Sequence, residues 1–311
     1  MRAGFPACTV ISSLIHLYYR IAGSRITPTF MPRQSGRAVP RILVVTVAFA
    51  VFAGEAQAQT GRDSSAAQPG LADVFLHDGR SAVGLAVRAY SAPFRWNGSD
   101  WLTAGGYIAA TGLSALADVE VRDAMARSHS SSADRAVDIA VAYGDGLNAV
   151  ILVGGLYGVG LVIREPWLRE SMMLAGTAFL VSASISTVTK FVVGRARPYN
   201  ELGNHSFKPF SFSEDFVSFP SGHTVVAFSI SSVLAERIGN PWATVALYGL
   251  ATATAVGRIY QDQHWLSDVV PAALFASTVG RSIARWYEGE QGEPSLGVLP
   301  GPGTVTVVWR F

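Results

Sequence analysis

Two cationic side chains, Lys190 and Arg197, lie seven residues apart in the segment KFVVGRARP, which follows a long apolar run. If a helix continues to Arg197, that spacing of about two turns places both side chains on one face. Pro198 disfavours a helical conformation at the preceding residue and directs the chain into a loop. Two cations without a carboxylate at helical spacing predict a site for an anion, although helix-dipole complements and membrane-interface anchors have the same composition.

A second polar group, Pro220-Ser221-Gly222-His223, comes directly before an apolar run of helical length. Ser221 is a typical N-cap residue, and Gly222 allows another group to approach the backbone closely. The free amides of a first helical turn favour a bound anion, so His223 would stand beside that anion with a proton to donate. The simpler interpretation is a helix cap without a further role.

A third group contains Arg258, His264 and Asp268. On a helix, the four-residue spacing of His264 and Asp268 would bring the two side chains together. The carboxylate could then accept a hydrogen bond from one ring nitrogen and leave the other free as a nucleophile, which suits attack on phosphorus. An isolated pair of this kind is more often a surface or capping interaction, so the prediction depends on all three groups occurring together.

In order, the motifs KxxxxxxRP, PSGH and RxxxxxHxxxD resemble the three-part signature of the type 2 phosphatidic acid phosphatase (PAP2) superfamily. That superfamily also contains bacterial class A acid phosphatases and vanadium haloperoxidases. The intervals are similar as well, with 21 residues between Pro198 and Pro220 and 33 between His223 and Gly257. Gly257 departs from the family pattern, which usually has Ser there, and this loss of a hydroxyl donor affects phosphate affinity more than activity.

The resemblance implies a role for each matching residue. The phosphate oxygens would be bound by Lys190, Arg197, Arg258, Ser221 and the amide of Gly222.

For the chemical steps, the resemblance implies that His264 attacks phosphorus to form a phosphohistidine, with Asp268 orienting its ring. His223 would protonate the leaving oxygen and then activate water. The cations and the helix N-terminus would supply the positive field that Mg²⁺ supplies in other phosphoryl-transfer enzymes, so we expect neither a metal nor another cofactor.

The composition limits the class of protein. Half of the 311 residues are hydrophobic and 15% are charged, which excludes a disordered chain and a basic nucleic-acid-binding surface. Apolar segments separated by short polar stretches predict an all-α fold, and the resemblance implies a PAP2-type bundle of about six core helices. These segments lie near residues 101–118, 146–163, 171–189, 223–235, 241–257 and 266–283, and a weaker amphipathic helix is expected near 71–92.

The N-terminal residues 1–58 are predicted to be a leader with a signal peptide. Translation would start at Met31, and a basic stretch, a 12-residue apolar run and an A-x-A signal predict cleavage after Ala58. An uncleaved anchor is the alternative, although 12 residues are few for a span of about 20. Residues 1–58 hold six of the 24 basic and one of the 22 acidic residues, so the remainder carries a net charge of −3.

The remainder divides into three parts. Residues 59–98 are expected to form a linker and an N-terminal helix, 99–288 a PAP2-type catalytic domain, and 289–311 a tail with one short strand in TVTVVWRF. The resemblance covers about 190–268 by motif and 99–288 by helical pattern.

The resemblance implies a metal-independent phosphatase acting on monoesters or diphosphates, with a lipid phosphate such as phosphatidate or a polyprenyl diphosphate as the expected substrate. The alternatives are a soluble periplasmic acid phosphatase, a vanadium-dependent haloperoxidase and a non-catalytic membrane protein that binds lipid headgroups. We expect a membrane and a phosphate compound as partners and no nucleic acid, and the sequence does not indicate an oligomeric state. An inner-membrane enzyme with a periplasm-facing site is favoured over a soluble periplasmic one.

Overall fold

The computed structural model describes residues 69–211, 213–292, 295–301 and 304–310, with side chains as far as residue 289. The predicted leader at 1–58, with its start and cleavage site, lies outside the described residues. Residues 59–68 of the predicted linker also lie outside them.

The described chain is a helical bundle followed by a β-hairpin. Its helices are α1 (Leu71–Ser91), α2 (Gly98–Ala115), α3 (Asp118–Arg127), α4 (Ser131–Tyr143), α5 (Gly146–Val162), α6 (Pro166–Val193), α7 (Gly222–Ile238), α8 (Pro241–Tyr260) and α9 (Leu266–Gly292). The strands are β1 (Ser295–Gly301) and β2 (Thr304–Arg310), which pair antiparallel.

The all-α prediction is confirmed, and each predicted apolar segment lies largely or wholly within one helix. The six predicted core segments correspond to α2 and α5–α9, and the structure adds α3 and α4, which are short and interrupted by charged residues and so gave no apolar run of helical length. The expected helix near 71–92 is α1. The tail also differs from the prediction, since the strand in TVTVVWRF pairs with a second strand, with Ser295 opposite Arg310 and Gly301 opposite Thr304.

Helix α7 occupies the centre of the bundle and packs against α6, α8 and α9. All of its residues from 224 to 235 are buried, which agrees with a sequence that is apolar or small on every face. Ser229 and Ser232 donate their hydroxyls to carbonyls within the helix, whereas Ser231 donates to the carbonyl of Leu247 in α8. Gly280 lets α9 approach α7 closely, because a Cβ at position 280 would lie 2.0 Å from Oγ of Ser232 in α7.

The outer faces of several helices expose large apolar side chains. On α2, Leu102 and Ile108 are 78% and 75% exposed, and Trp242 at the start of α8 is 79% exposed. Within the described chain, α6 is long and apolar enough to cross a membrane, and half of its most apolar window is buried. Helices α4 and α5 pass the same test as a pair but are bent by 54° at their junction.

Candidate active site

The three sequence motifs come together where α6 and α8 end and α7 and α9 begin. The amide of Ser221, at the start of α7, donates to the carbonyl of Asp268 in α9 at 3.0 Å. The indole of Trp265 donates to the carbonyl of Ala196, just after α6, at 3.0 Å. Contacts of this kind fix the ends of α6, α7 and α9 relative to one another and therefore position the side chains they carry.

Helix α6 ends at Val193, three residues after Lys190, because Gly194 adopts a left-handed conformation with φ of 58°. Glycine is required there, since a Cβ would lie 1.8 Å from the carbonyl oxygen of Lys208. Arg197 follows in extended backbone, as Pro198 favours, so the helix does not reach it and Lys190 and Arg197 do not share one helix face. The two cations approach the site by different routes, one from a helix and the other from a loop.

Lys190 lies between the loop and the start of α7. Its Nζ donates to the carbonyl oxygen of Val217 at 2.7 Å. A Cβ on Gly222 would be 3.7 Å from its Cε, so the lysine packs directly against the glycine of the second motif. The cation and the first amides of α7 therefore lie side by side.

The two arginines are joined by a neutral side chain, the amide of Gln263. Its Oε1 accepts from Nη1 of Arg197 at 2.6 Å and from Nη2 of Arg258 at 3.4 Å. Arg258 also donates to Oε1 of Gln261 at 2.7 Å. Amide oxygens therefore hold the two guanidinium groups close together without neutralising them, which leaves their charge available to an anion.

Ser221 is the N-cap residue of α7, as predicted, and is fully buried. Its hydroxyl does not cap the helix amides and instead accepts from Oγ1 of Thr224 at 2.9 Å. The amides of the first turn are therefore left without a side-chain acceptor, and they present the positive end of the α7 dipole to the site.

His223 stands at this positive end, close to the cations Arg258, Arg197 and Lys190 and to the carboxylate of Asp145. Burial, and then the charges of Arg258, Arg197 and Lys190, lower the pKa of His223 to about 4. The imidazole is thus neutral at pH 7 in the absence of a ligand. A bound dianion would offset the same charges and favour the protonated ring, which is the form that can donate a proton.

His264 and Asp268 lie together, although not by the predicted means. His264 is in the turn before α9, which begins at Leu266, so helical spacing does not relate the pair. The turn places Nδ1 of His264 3.7 Å from Oδ2 of Asp268, beyond hydrogen-bond distance, and this nitrogen has no hydrogen-bond partner. Burial lowers the pKa of His264 to about 3, so its ring is neutral and retains a nucleophilic nitrogen.

The Asp268 carboxylate is buried and fully occupied by donors. Oδ1 accepts from Nη1 of Arg195 at 2.7 Å, while Oδ2 accepts from the Ser218 hydroxyl at 2.5 Å and the Trp265 amide at 2.8 Å. Burial on its own would raise the pKa of Asp268, but the contact with His264 and the charge of Arg195 outweigh it and lower the pKa. The group is therefore an anion held in one orientation.

Sequence reasoning missed several residues of this arrangement. Arg195 lies inside the first motif, but the signature assigns only its first and last cations. Ser218 and Gln263 each lie close to a motif residue in the sequence, and this proximity was the only signal that could have indicated them. Asp118, which binds Arg195 at 2.7 Å, is 77 residues away and carried no signal.

Comparison with known proteins agrees with the motifs. Residues 171–291 match the sequence model of the PAP2 superfamily. The lipid A 1-phosphatase of Porphyromonas gingivalis is 34% identical over 99 residues, which are 31% of this chain and 19% of that protein. The lipid A 1-phosphatase of Rhizobium etli is 32% identical over 101 residues, or 32% of this chain and 43% of that protein. The chain therefore spans less than half the length of these relatives.

Two solved structures are similar in outline. A transmembrane PAP2-type phosphatidylglycerolphosphate phosphatase from Bacillus subtilis aligns over 70% of this chain and 96% of its own, with 15% identity and a TM-score of 0.46. LpxE from Aquifex aeolicus aligns over 54% of this chain and 94% of its own, with 19% identity and a TM-score of 0.40.

The fold and site define a helical bundle with a cluster of cations and histidines at its helix ends. The family match over residues 171–291, a stretch that contains all three motifs, confirms the resemblance predicted from them for this part of the chain.

We expect Lys190→Ala to weaken binding of inorganic phosphate and vanadate by about tenfold to a hundredfold, because a charge-assisted hydrogen bond contributes about 1.5–3 kcal/mol. Isothermal titration of the purified protein would measure both affinities. Lys208→Ala is the matched control, since Lys208 is exposed and its Nζ lies 5.7 Å from the Phe216 ring centroid. Equal affinities for wild type and Lys190→Ala would contradict the assignment.

The pKa of His223, about 4 without a ligand, is expected to rise when phosphate binds, because an anion offsets the neighbouring cations. NMR titration of histidine-labelled protein with and without phosphate would follow the ring, and His223→Gln would assign its signal. A pKa that falls or stays constant on binding would show that the anion does not lie beside His223.

Proposed function

We propose that the protein is a phosphatase that transfers a phosphoryl group from a lipid phosphate to His264 and then to water. The observation that carries this proposal is the placement of three cations beside a neutral histidine. Lys190, Arg197 and Arg258 donate hydrogen bonds to carbonyl and amide oxygens, so these contacts do not neutralise their charges. Such a cluster favours a ligand with two or more negative charges, as a phosphate monoester has.

In the first step, the phosphate oxygens would be held by the cations and by the amides at the start of α7. The ring nitrogen of His264 that does not face Asp268 is Nε2, and it would form a bond to phosphorus as the bond to the leaving oxygen breaks. His223, protonated beside the bound dianion, would give its proton to that oxygen. Positive charge that develops on the His264 ring would be stabilised by the Asp268 carboxylate.

In the second step, His223 would accept a proton from water as the water oxygen attacks phosphorus. The phosphorus–nitrogen bond then breaks, His264 returns to its neutral form and inorganic phosphate leaves. Atoms and protons balance over the two steps without a metal. Among the described residues, no group of three or more His, Cys, Asp or Glu side chains is arranged to hold a metal ion.

For the substrate we propose a phosphate monoester on a lipid, and the relatives make lipid A 1-phosphate the first compound to test. The proteins that match over about a third of this chain are named lipid A 1-phosphatases. The exposed apolar faces of α2, α6 and α8 support a substrate presented by a membrane. Phosphatidate and polyprenyl diphosphate have the same reacting group and belong in the same comparison.

Purified protein should release phosphate in the presence of EDTA, with vanadate as an inhibitor. His264→Ala is expected to lower kcat by about a thousandfold or more, because it removes the nucleophile. His205→Ala is the control, since His205 is exposed and matches no motif. Release from lipid A, phosphatidate, polyprenyl diphosphate and p-nitrophenyl phosphate would rank the substrates, and full activity of His264→Ala would exclude the mechanism.

We also propose that the protein associates with the inner membrane and that its site faces the periplasm. The apolar outer faces support the first part, and the predicted signal peptide supports the second. In fractionated cells, the protein should stay in the membrane after an alkaline carbonate wash. Intact spheroplasts should hydrolyse added p-nitrophenyl phosphate at the rate of lysed ones. Release by carbonate would favour a soluble periplasmic phosphatase, and activity only after lysis would place the site on the other side.

A further inference from the structure

Arg195 is a buried guanidinium behind the candidate site, with 4% of its surface exposed. Its Nη1 donates to Oδ1 of Asp268 and to the hydroxyl of Ser267, both at 2.7 Å. Its Nη2 donates to Oδ2 of Asp118 at 2.7 Å, and its Nε to the carbonyl of Asn204 at 3.0 Å. One cation therefore joins two buried carboxylates, only one of which belongs to the family signature.

Asp118 is the first residue of α3 and is 1% exposed. Besides binding Arg195, its Oδ1 accepts from the amide of Ser267 at 2.9 Å, and its Oδ2 accepts from the Ser267 hydroxyl at 2.7 Å. Ser267 directly precedes Asp268. The Asp118 carboxylate thus holds Asp268 in two ways, through the guanidinium of Arg195 and through the backbone at the start of α9.

We propose that Asp118 and Arg195 are positioning residues for the reaction, which fix the Asp268 carboxylate in the orientation and charge state that His264 needs. This inference rests on the proposed function, in which His264 is the nucleophile. Neither residue reaches the substrate, and both act through Asp268.

The charges explain why two carboxylates share one guanidinium. Asp118, Arg195 and Asp268 together carry a net charge of −1 in a buried environment. When His264 forms a bond to phosphorus, its ring becomes positively charged next to this network, at 3.7 Å from Asp268. If Arg195 were paired with Asp268 alone, the carboxylate would already be neutralised and would stabilise that positive charge less. Asp118 therefore keeps part of the negative charge of Asp268 available.

The main test is Asp118→Asn, which preserves shape and removes the charge. We expect kcat to fall by about tenfold to a hundredfold, in the range seen for residues that act through a reacting group. The KM and the inhibition constant of phosphate should stay within about twofold, because the three phosphate-binding cations are unchanged. Asp123→Asn is the matched control, since Asp123 is exposed in the same helix.

A merely structural role gives a different result. It would raise KM together with a fall in kcat, because the loop after Arg195 also carries Arg197, and that outcome would overturn the proposal. So would kinetics equal to those of Asp123→Asn. Melting temperatures of both variants would detect misfolding. If Asp118→Asn does not fold, Ser267→Ala keeps all three charges, removes one link, and should still lower kcat several-fold with KM unchanged.

A double-mutant comparison tests whether the effect passes through Asp268. In an Asp268→Asn background, Asp118→Asn should cause no further loss of kcat, because the group on which it acts is already neutral. Losses that multiply would mean that Asp118 acts by another route, and the proposal would be wrong.

A measurement without turnover separates this inference from the proposed function. The charged groups that face His264 are Asp268, Lys190 and Arg258, and Asp268 is faced in turn by Arg195. Arg195→Gln removes a cation from this set, so NMR should show the His264 ring becoming protonated at a higher pH than in wild type. An unchanged titration would overturn the proposal even if the protein hydrolysed no phosphate. Conversely, an active wild type with an inactive His264→Ala would uphold the proposed function alone.

Discussion

The site depends on the close approach of positive charges that the protein does not neutralise. Lys190, Arg197 and Arg258 come from three different elements, and each is held by oxygen atoms without formal charge. Like charges repel, and burial increases the effect because the local dielectric is lower than in water. The packing of α6, α7, α8 and α9 has to supply the energy that holds them together. An anion relieves this repulsion, so the arrangement is preorganised for a ligand such as phosphate.

A second constraint is the Asp268 carboxylate, whose negative charge lies close to these positive charges. It accepts hydrogen bonds from three separate elements, namely the loop after α6, the loop before α7 and the turn before α9. A buried carboxylate with this many donors stays ionised and has little freedom to rotate. The cations Lys190 and Arg258 and the Asp268 carboxylate thus act on the same ring, that of His264. The burial of this ring lowers its pKa and keeps it neutral.

The long apolar helices could be predicted, whereas α3 and α4 could not, because both are short and charged residues interrupt their apolar positions. The motif residues were also predictable as a group, yet the geometry that unites them was not. A left-handed Gly194 separates Lys190 from Arg197, and a turn places His264 near Asp268. Such local conformations depend on contacts with distant segments, as Gly194 shows by lying against Lys208. Asp118 could not be predicted from the sequence, since its pairing with Arg195 exists only in the folded chain.

The low charge content of the chain gives each buried ion pair a specific part in the fold. Asp78 of α1 is 2% exposed, and its Oδ2 lies 3.0 Å from Nε of Arg169 in α6 and accepts from the Tyr157 hydroxyl in α5 at 2.9 Å. Breaking such a pair by removing one partner costs about 3–5 kcal/mol, because the other charge stays buried. Apolar packing is tolerant of sliding between helices, whereas these charges fix how α1 lies against α5 and α6. The same physics at the other polar cluster fixes α3 and α9 around Arg195, which is why the supporting network and the fold cannot be separated.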